Sequence, residues 1–363
     1  MIKRKYNLKY CCDDICIYPS STLLNSNWDK FSHSFGLTAI STYQLKINKS
    51  IDRIDDESKN HGGNCERNEQ KKKGKVYFYR LEENITDDGN YYEINPRLTY
   101  DSNINFRSGV LQSNYLFTHD SIILGSVCVN GFHVSSLKDK TNNLVFATLD
   151  EKNNSGLSFD AFDGKPEKVC VSFSNGDVCF LVDGKESKLW RAHEYHVWTC
   201  TFNGNENVVT TGSDDCSFVI WDLRTATHST KNKKSHSQGV TAVKFDSFSQ
   251  HLYTGSYDNK IRVFDARNFQ DPFQTVDVKS SIWRIKLLYK GTEVYKLLVA
   301  ACDGGARIFK KKDDEFIFHK GVINDNELTY GVDTIDLFDE KRKKKKKIYL
   351  SCSFYNKEVQ MWF

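Results

Sequence analysis

From residue 193 to residue 265 the chain runs through short apolar stretches separated by short polar breaks. VWTCTF (197–202), VVTTGS (208–213) and FVIWD (218–222) are parted by NGNEN and DDCS. Runs of five or six residues rich in Val, Ile, Thr and aromatics, bounded by Gly, Asn and Asp, predict strands joined by tight turns. Three such strands in succession make a small antiparallel sheet and not a helix pair. The same plan recurs 43 residues on: TGSDDCSFVIWDLRT (211–225) is followed by TGSYDNKIRVFDARN (254–268). Aligned on Asp215 and Asp258, His193 falls on His236, Val197 on Val240, Phe202 on Phe245 and Trp221 on Phe264.

A period of about 40–45 residues with a His near its start and Trp-Asp at its end is the signature of a WD40 propeller blade. In blades that it resembles, a His, a Ser or Thr, an Asp and a Trp form a buried hydrogen-bond network. The matching residues are His193, Ser213, Asp215 and Trp221, then His236, Ser256 and Asp258. Phe264 cannot donate as an indole does, so the second network is expected to be shorter. Further blades follow the same register. LLVAACDGGARIFK sets Asp303 45 residues after Asp258, and LSCSFYNKEVQMWF sets Asn356 and Trp362 in place. VSFSNGDVCFLVDG and SIILGSVCVNGFHVSSL read as blades upstream, and GLTAISTYQLKI with KVYFYRL as a first, split one. The expectation is an all-β fold: a seven-bladed WD40 β-propeller spanning 1–363. Its last blade lacks a fourth strand, which the N-terminal IKRKYNLKY is expected to supply. That pairing closes the ring and removes an exposed edge. Polar, low-complexity insertions are expected at 48–73 and 340–347.

Composition narrows the class. Of 363 residues 27% are charged and 39% hydrophobic, with 24 Phe, 18 Tyr and four Pro, which suits a water-soluble β protein. The formal net charge is +4, yet the run Lys341–Lys347 contributes seven positive charges, and without them it becomes −3. Positive charge confined to one tract, and not spread over a face with aromatics between, argues against nucleic-acid binding. No apolar stretch has the length of a membrane span, and no apolar region follows the basic N-terminus, so a cytoplasmic location is expected. The 11 cysteines contain no C-x-x-C pair. Cys170, Cys179, Cys200 and Cys302 lie in strand-like runs and read as small buried hydrophobes; no metal site is expected. G-x-S-x-G, H-E-x-x-H, P-loop and Rossmann glycine motifs are absent.

Particular phrases go further than the repeat. STYQL followed by KVYFYRL, AHEYHVWTCTF, GSDDCSFVIWDLR, TGSYDNKIRVFDARN, IWRIK leading to LLVAAC, YGVD, and SCSFYNKEVQMW occur in this order across residues 37–363. In them the chain resembles the diphthine methylesterase family, the WD-repeat proteins of diphthamide biosynthesis, also called diphthine methyltransferases. Residues 86–170 match weakly and nothing is carried over there. The resemblance implies a carboxylic ester hydrolase without a cofactor. Its substrate would be elongation factor 2 carrying methylated diphthine, whose methyl ester is removed to give diphthine. A monomer is expected. The alternative is a non-catalytic WD40 scaffold or receptor.

Ester hydrolysis needs a nucleophile or activated water, a base near neutrality, and donors for the tetrahedral oxyanion. In a propeller, the loops into each first strand and between second and third strands crowd one face around the channel. Here they carry His196, a candidate base; Asp333, a base or orienter; and two candidate nucleophiles, Ser281 and Cys302. Trp198, Asp214, Tyr257, Trp283, Tyr330 and Tyr355, with Thr241 between them, are expected to grip the substrate loop.

Overall fold

The computed structural model describes residues 2–19, 34–44, 73–87, 92–138, 142–148, 154–322, 328–339 and 344–363. They form seven four-stranded antiparallel sheets. The inner strands are Cys11–Pro19, Val110–Phe117, Gly156–Ala161, Val197–Phe202, Val240–Asp246, Arg284–Lys290 and Thr329–Asp339, here numbered as blades one to seven. Each inner strand packs against the next, and the seventh against the first, so they ring a central channel. The seven-bladed propeller read from the repeat is therefore the fold.

Each blade is sandwiched between two neighbours, which is why its middle strands are apolar runs without alternation. Seven hydrophobic clusters fill the seven blade interfaces. Outer strands have one wet side: Lys185–Arg191 is largely exposed, whereas Val208–Ser213 is almost wholly buried.

Ring closure follows the N-terminal expectation. Ile2–Asn7 pairs antiparallel with Glu358–Trp362, with Ile2 opposite Trp362 and Asn7 opposite Glu358. Tyr6 ties this strand to blade one by accepting the Leu98 N–H at 2.9 Å. Trp362 is fully buried, stacks on Tyr349 at 4.6 Å and donates to Ser351 Oγ at 3.3 Å.

Three expectations change. CCDDICIYP, which the repeat pattern had left unassigned, is the inner strand of blade one. The lysine tract is not wholly a loop: Lys344–Lys347 open a strand whose register runs against Asp336–Asp339, and Lys347 Nζ meets Asp336 Oδ1 at 2.6 Å. An opposite-charge pair across a ladder contributes a few tenths to about 1 kcal/mol, which suits a longer hairpin. Residues 48–72 and 340–343 lie outside the described residues. The hydroxyl of the blade-four network is Thr211 and not Ser213. Thr211 Oγ1 accepts the Trp221 indole N–H at 2.9 Å and meets His193 Nε2 at 2.8 Å, while His193 Nδ1 meets Asp215 Oδ2 at 2.9 Å. Ser213 lies on the same strand face, two residues on, and accepts the Asp215 backbone N–H at 3.3 Å. Burial raises the Asp215 carboxyl, but hydrogen bonds from His193 and Ser217 outweigh it and hold it at about 2. In blade five His236 meets Thr254 Oγ1 at 2.9 Å, and Arg262 donates to both His236 Nδ1 and Asp258 Oδ2 at 2.8 Å. Because Nδ1 accepts, the imidazole proton sits on Nε2. Burial lowers the affinity of His236 for a second proton, in keeping with that neutral form.

Candidate functional site

One register shift near the start of six inner strands builds the channel mouth. The shift leaves an extra residue in each: Asp13, Leu111, Leu157, Trp198, Thr241 and Tyr330. In blade six Trp283 stands directly before the first paired residue, Arg284, with its N–H on the Ala300 carbonyl at 2.8 Å. A bulge bends its strand and re-aims the extra side chain. The mouth is thus aliphatic at blades two and three, aromatic at blades four, six and seven, and polar at blade five (Thr241) and blade one (Asp13).

The aromatic arc is continuous. His196 and Trp198 have centroids 5.3 Å apart, Trp198 and Trp283 5.2 Å, and Trp283 and Tyr330 are stacked at 4.7 Å. Tyr257 flanks Trp283 at 6.3 Å. Tyr330 continues through Phe354, at 5.3 Å, to Tyr355, which is 64% exposed. Asp214 anchors one end, accepting the Trp198 indole N–H at 2.5 Å. Gly239 must stay small: a Cβ there would lie 2.5 Å from Asp214 Oδ1. The residues predicted to grip the substrate are therefore brought together, with Phe354 as an addition.

The candidate catalytic residues divide. His196 is exposed at the arc's edge. Ser281 Oγ donates to the Tyr257 carbonyl at 3.2 Å. Cys302 is 6% exposed, and burial followed by Asp303 pushes its thiol up to about 12, so it carries almost no thiolate near neutrality. Asp333 does not join the arc. It is 7% exposed, three residues further along the inner strand than Tyr330. Its Oδ2 pairs with Lys286 Nζ at 2.6 Å and accepts the Ile17 N–H at 2.7 Å. Burial opposes the charge on Lys286, but Asp333 and Asp14 outweigh it and keep the ammonium charged. Asp333 thus cross-links blades seven, six and one inside the channel.

Comparison with known proteins adds identity to this geometry. The chain is 30% identical over 291 residues to the diphthine methyltransferase homolog of Dictyostelium discoideum, covering 72% of this chain and 77% of that one. It belongs to the diphthine methyltransferase family. Other members are the diphthine methyltransferases of Schizosaccharomyces pombe, 26% identical over 57% of this chain and 63% of that one, and of Mus musculus, 31% identical over 52%. The chain spans 43% of the length of the mouse protein. The family model for the WD domain, G-beta repeat, matches residues 184–222 and 228–265. A chain of the crystal structure of the mitotic checkpoint complex matches with a TM-score of 0.62 at 12% identity, covering 99% of this chain and 91% of that one, which shows the fold alone. Among the described residues no helix is long and apolar enough to cross a membrane.

Beneath the arc this member of the diphthine methyltransferase family holds a charged group that the repeat pattern had not located. Arg284 Nε lies 3.4 Å from Asp14 Oδ1, and Arg284 Nη2 donates across the channel to the Leu111 carbonyl at 3.3 Å. Asp13, at the blade-one bulge, is 3% exposed. Burial pushes its carboxyl up to about 8, with Arg284 pulling the other way and Asp14 adding to the rise. Burial also raises the Tyr330 phenol, and Cys302 and Asp13 beside it raise it further. A cavity of about 80 Å³, lined by Asp14, Gln112, Ser158, Thr241, Trp283 and Arg284 among others, opens below the rings. The sequence signal for Asp13 was the stretch CCDDIC, whose apolar residues flank two acids.

Proposed function

We propose that this chain hydrolyses the methyl ester of methylated diphthine on elongation factor 2, leaving the carboxylate that a late step of diphthamide biosynthesis consumes. The observation that carries the reading is the arc from Trp198 through Trp283 to Tyr330, set over a buried acid and a cation in a protein whose relatives are named for diphthine. Large, partly exposed aromatics in continuous contact offer the apolar surface that dominates docking of a protein loop. The modified side chain would project between the rings toward the cavity. A base whose affinity for protons lies near neutrality suits ester hydrolysis better than it suits a passive platform.

Release of methanol from methyl-esterified elongation factor 2 by the purified protein tests this. Stoichiometric methanol supports the reading. Tight binding of the substrate without methanol, at enzyme equal to substrate and over hours, makes the chain a non-catalytic scaffold.

A further inference from the structure

Three buried polar atoms without a hydrogen bond lie at the channel mouth on blades one and six: Asp13 Oδ2, Trp283 Nε1, and Arg284 Nε, which is ion-paired with Asp14 at 3.4 Å. One is an acceptor and two are donors. Leaving a buried polar atom unpaired costs about 1–3 kcal/mol. Buried polar atoms without a protein partner call for a water or a ligand. Their placement is specific. Asp13 occupies the bulge of blade one and Tyr330 that of blade seven, and Trp283, stacked on Tyr330, stands directly before the first pair of blade six. Trp283 and Arg284 line the cavity, and Asp14, the residue after Asp13, lines it too. A cavity needs about 10–15 Å³ per water, so this one has room for several.

We propose that these atoms form the catalytic group of the hydrolysis, with Asp13 as general base toward a water at the mouth of the cavity and Arg284 Nε–H and Trp283 Nε1–H as the oxyanion donors. This rests on the hydrolase reading above. Asp13 Oδ2 takes a proton from the water as its oxygen bonds to the ester carbonyl carbon. The carbonyl π pair moves to oxygen, which becomes the oxyanion held by the two N–H groups. Collapse of the tetrahedral adduct breaks the bond to the methoxy oxygen, and the proton on Asp13 passes to that oxygen to give methanol. The remaining acid ionises to the carboxylate. No covalent enzyme intermediate forms, and Ser281 and Cys302 have no part in the bond changes.

The surroundings set the pH dependence. Around Asp13 stand Asp14, Cys11 and Cys12 on its own strand, Arg284 from blade six, and Tyr330 and Cys352 from blade seven. Burial, the largest influence on each, raises the three thiols and the phenol, so all stay neutral near pH 7. Arg284 and Asp14 are then the charges that Asp13 feels. The base works when deprotonated. With its carboxyl at about 8, kcat/KM should climb about tenfold per pH unit below pH 7 and level off above pH 8.

The test uses the full chain and methyl-esterified elongation factor 2. Asp13→Asn should lower turnover at least about 100-fold, abolish the pH dependence, and leave substrate binding intact. Trp283→Phe keeps a ring in the arc but removes the donor; turnover should fall about 10²-fold or more with KM little changed. Asp13→Asn should melt no lower than the wild type at pH 9, because it replaces a buried acid that must ionise there. Methanol release by the wild type with a flat pH profile from 6 to 8 overturns the role of Asp13 even if that variant fails to fold. Wild-type turnover in folded Asp13→Asn overturns it equally. Failure of the wild type to release methanol defeats the hydrolase reading itself, and the assignment of the three atoms with it.

Discussion

Blades four and five offer an internal comparison of what one hydroxyl contributes. Thr211→Val and Thr254→Val remove the same atom from equivalent places on second strands, with nearly the same shape kept. In blade four the hydroxyl serves two side chains, the Trp221 indole N–H at 2.9 Å and His193 Nε2 at 2.8 Å. In blade five it serves one, His236 Nε2 at 2.9 Å, because Phe264 has no N–H to offer. The weaker contacts, to the carbonyls of Val219 at 3.3 Å and Arg262 at 3.4 Å, occur in both and cancel. Thr211, Thr254 and their partners His193 and His236 are all buried, so water cannot replace the lost contacts. At about 1–3 kcal/mol per orphaned buried group, Thr211→Val should cost about 2–6 kcal/mol and Thr254→Val about 1–3. Urea unfolding followed by tryptophan fluorescence and by far-UV circular dichroism measures both, with the midpoints compared at equal slope. Equal losses in the two variants, or a loss below about 1 kcal/mol in Thr211→Val, would refute this account of the network. Thr211→Ser, which keeps the hydroxyl, should recover most of the difference.

Other outcomes follow from the same contacts. Trp283→Ala should fold, since the ring is only partly buried, yet lose substrate binding by on the order of 2 kcal/mol or more and turnover besides, read from binding and methanol release together. Ser281→Ala and Cys302→Ala should keep turnover within about threefold of wild type in that assay; a 100-fold loss in either would restore a side-chain nucleophile. Deleting residues 1–9 removes the strand paired to Glu358–Trp362 and the Tyr6 contact with blade one, so the melting temperature should fall by several degrees while Tyr6→Phe lowers it less. Asp215, held at about 2 against about 3.8 unfolded, contributes stability that is fully present above pH 4 and lost as pH falls toward 2; Asp215→Asn should flatten that part of the acid-unfolding curve.

Much of this molecule is written in short range. Strands alternate with turns because VVTTGS and FVIWD are too short and too β-branched for helices, and DDCS and YDNK make the bends between them. The period of about 43 residues determines blade identity, and counting blades determines the ring. The aromatic arc could be read as well, since Trp198, Trp283, Tyr330 and Tyr257 hold equivalent or neighbouring positions in successive repeats. What the tertiary structure alone decided concerns groups whose surroundings come from distant blades. Asp333 reads from the sequence as a base or orienter at the channel mouth, but its depth along the inner strand sets it against Lys286 and the Ile17 backbone, and so inside the channel. Thr211 and Ser213 point to one face, and only the packed position of Trp221 selects Thr211. Asp13 is the sharpest case. Its local sequence says nothing of a raised carboxyl, because the burial that raises it exists only when blade seven closes on blade one and Arg284 arrives from blade six. Strand and turn formation depend on neighbours along the chain, whereas desolvation and unpaired charge depend on neighbours in space.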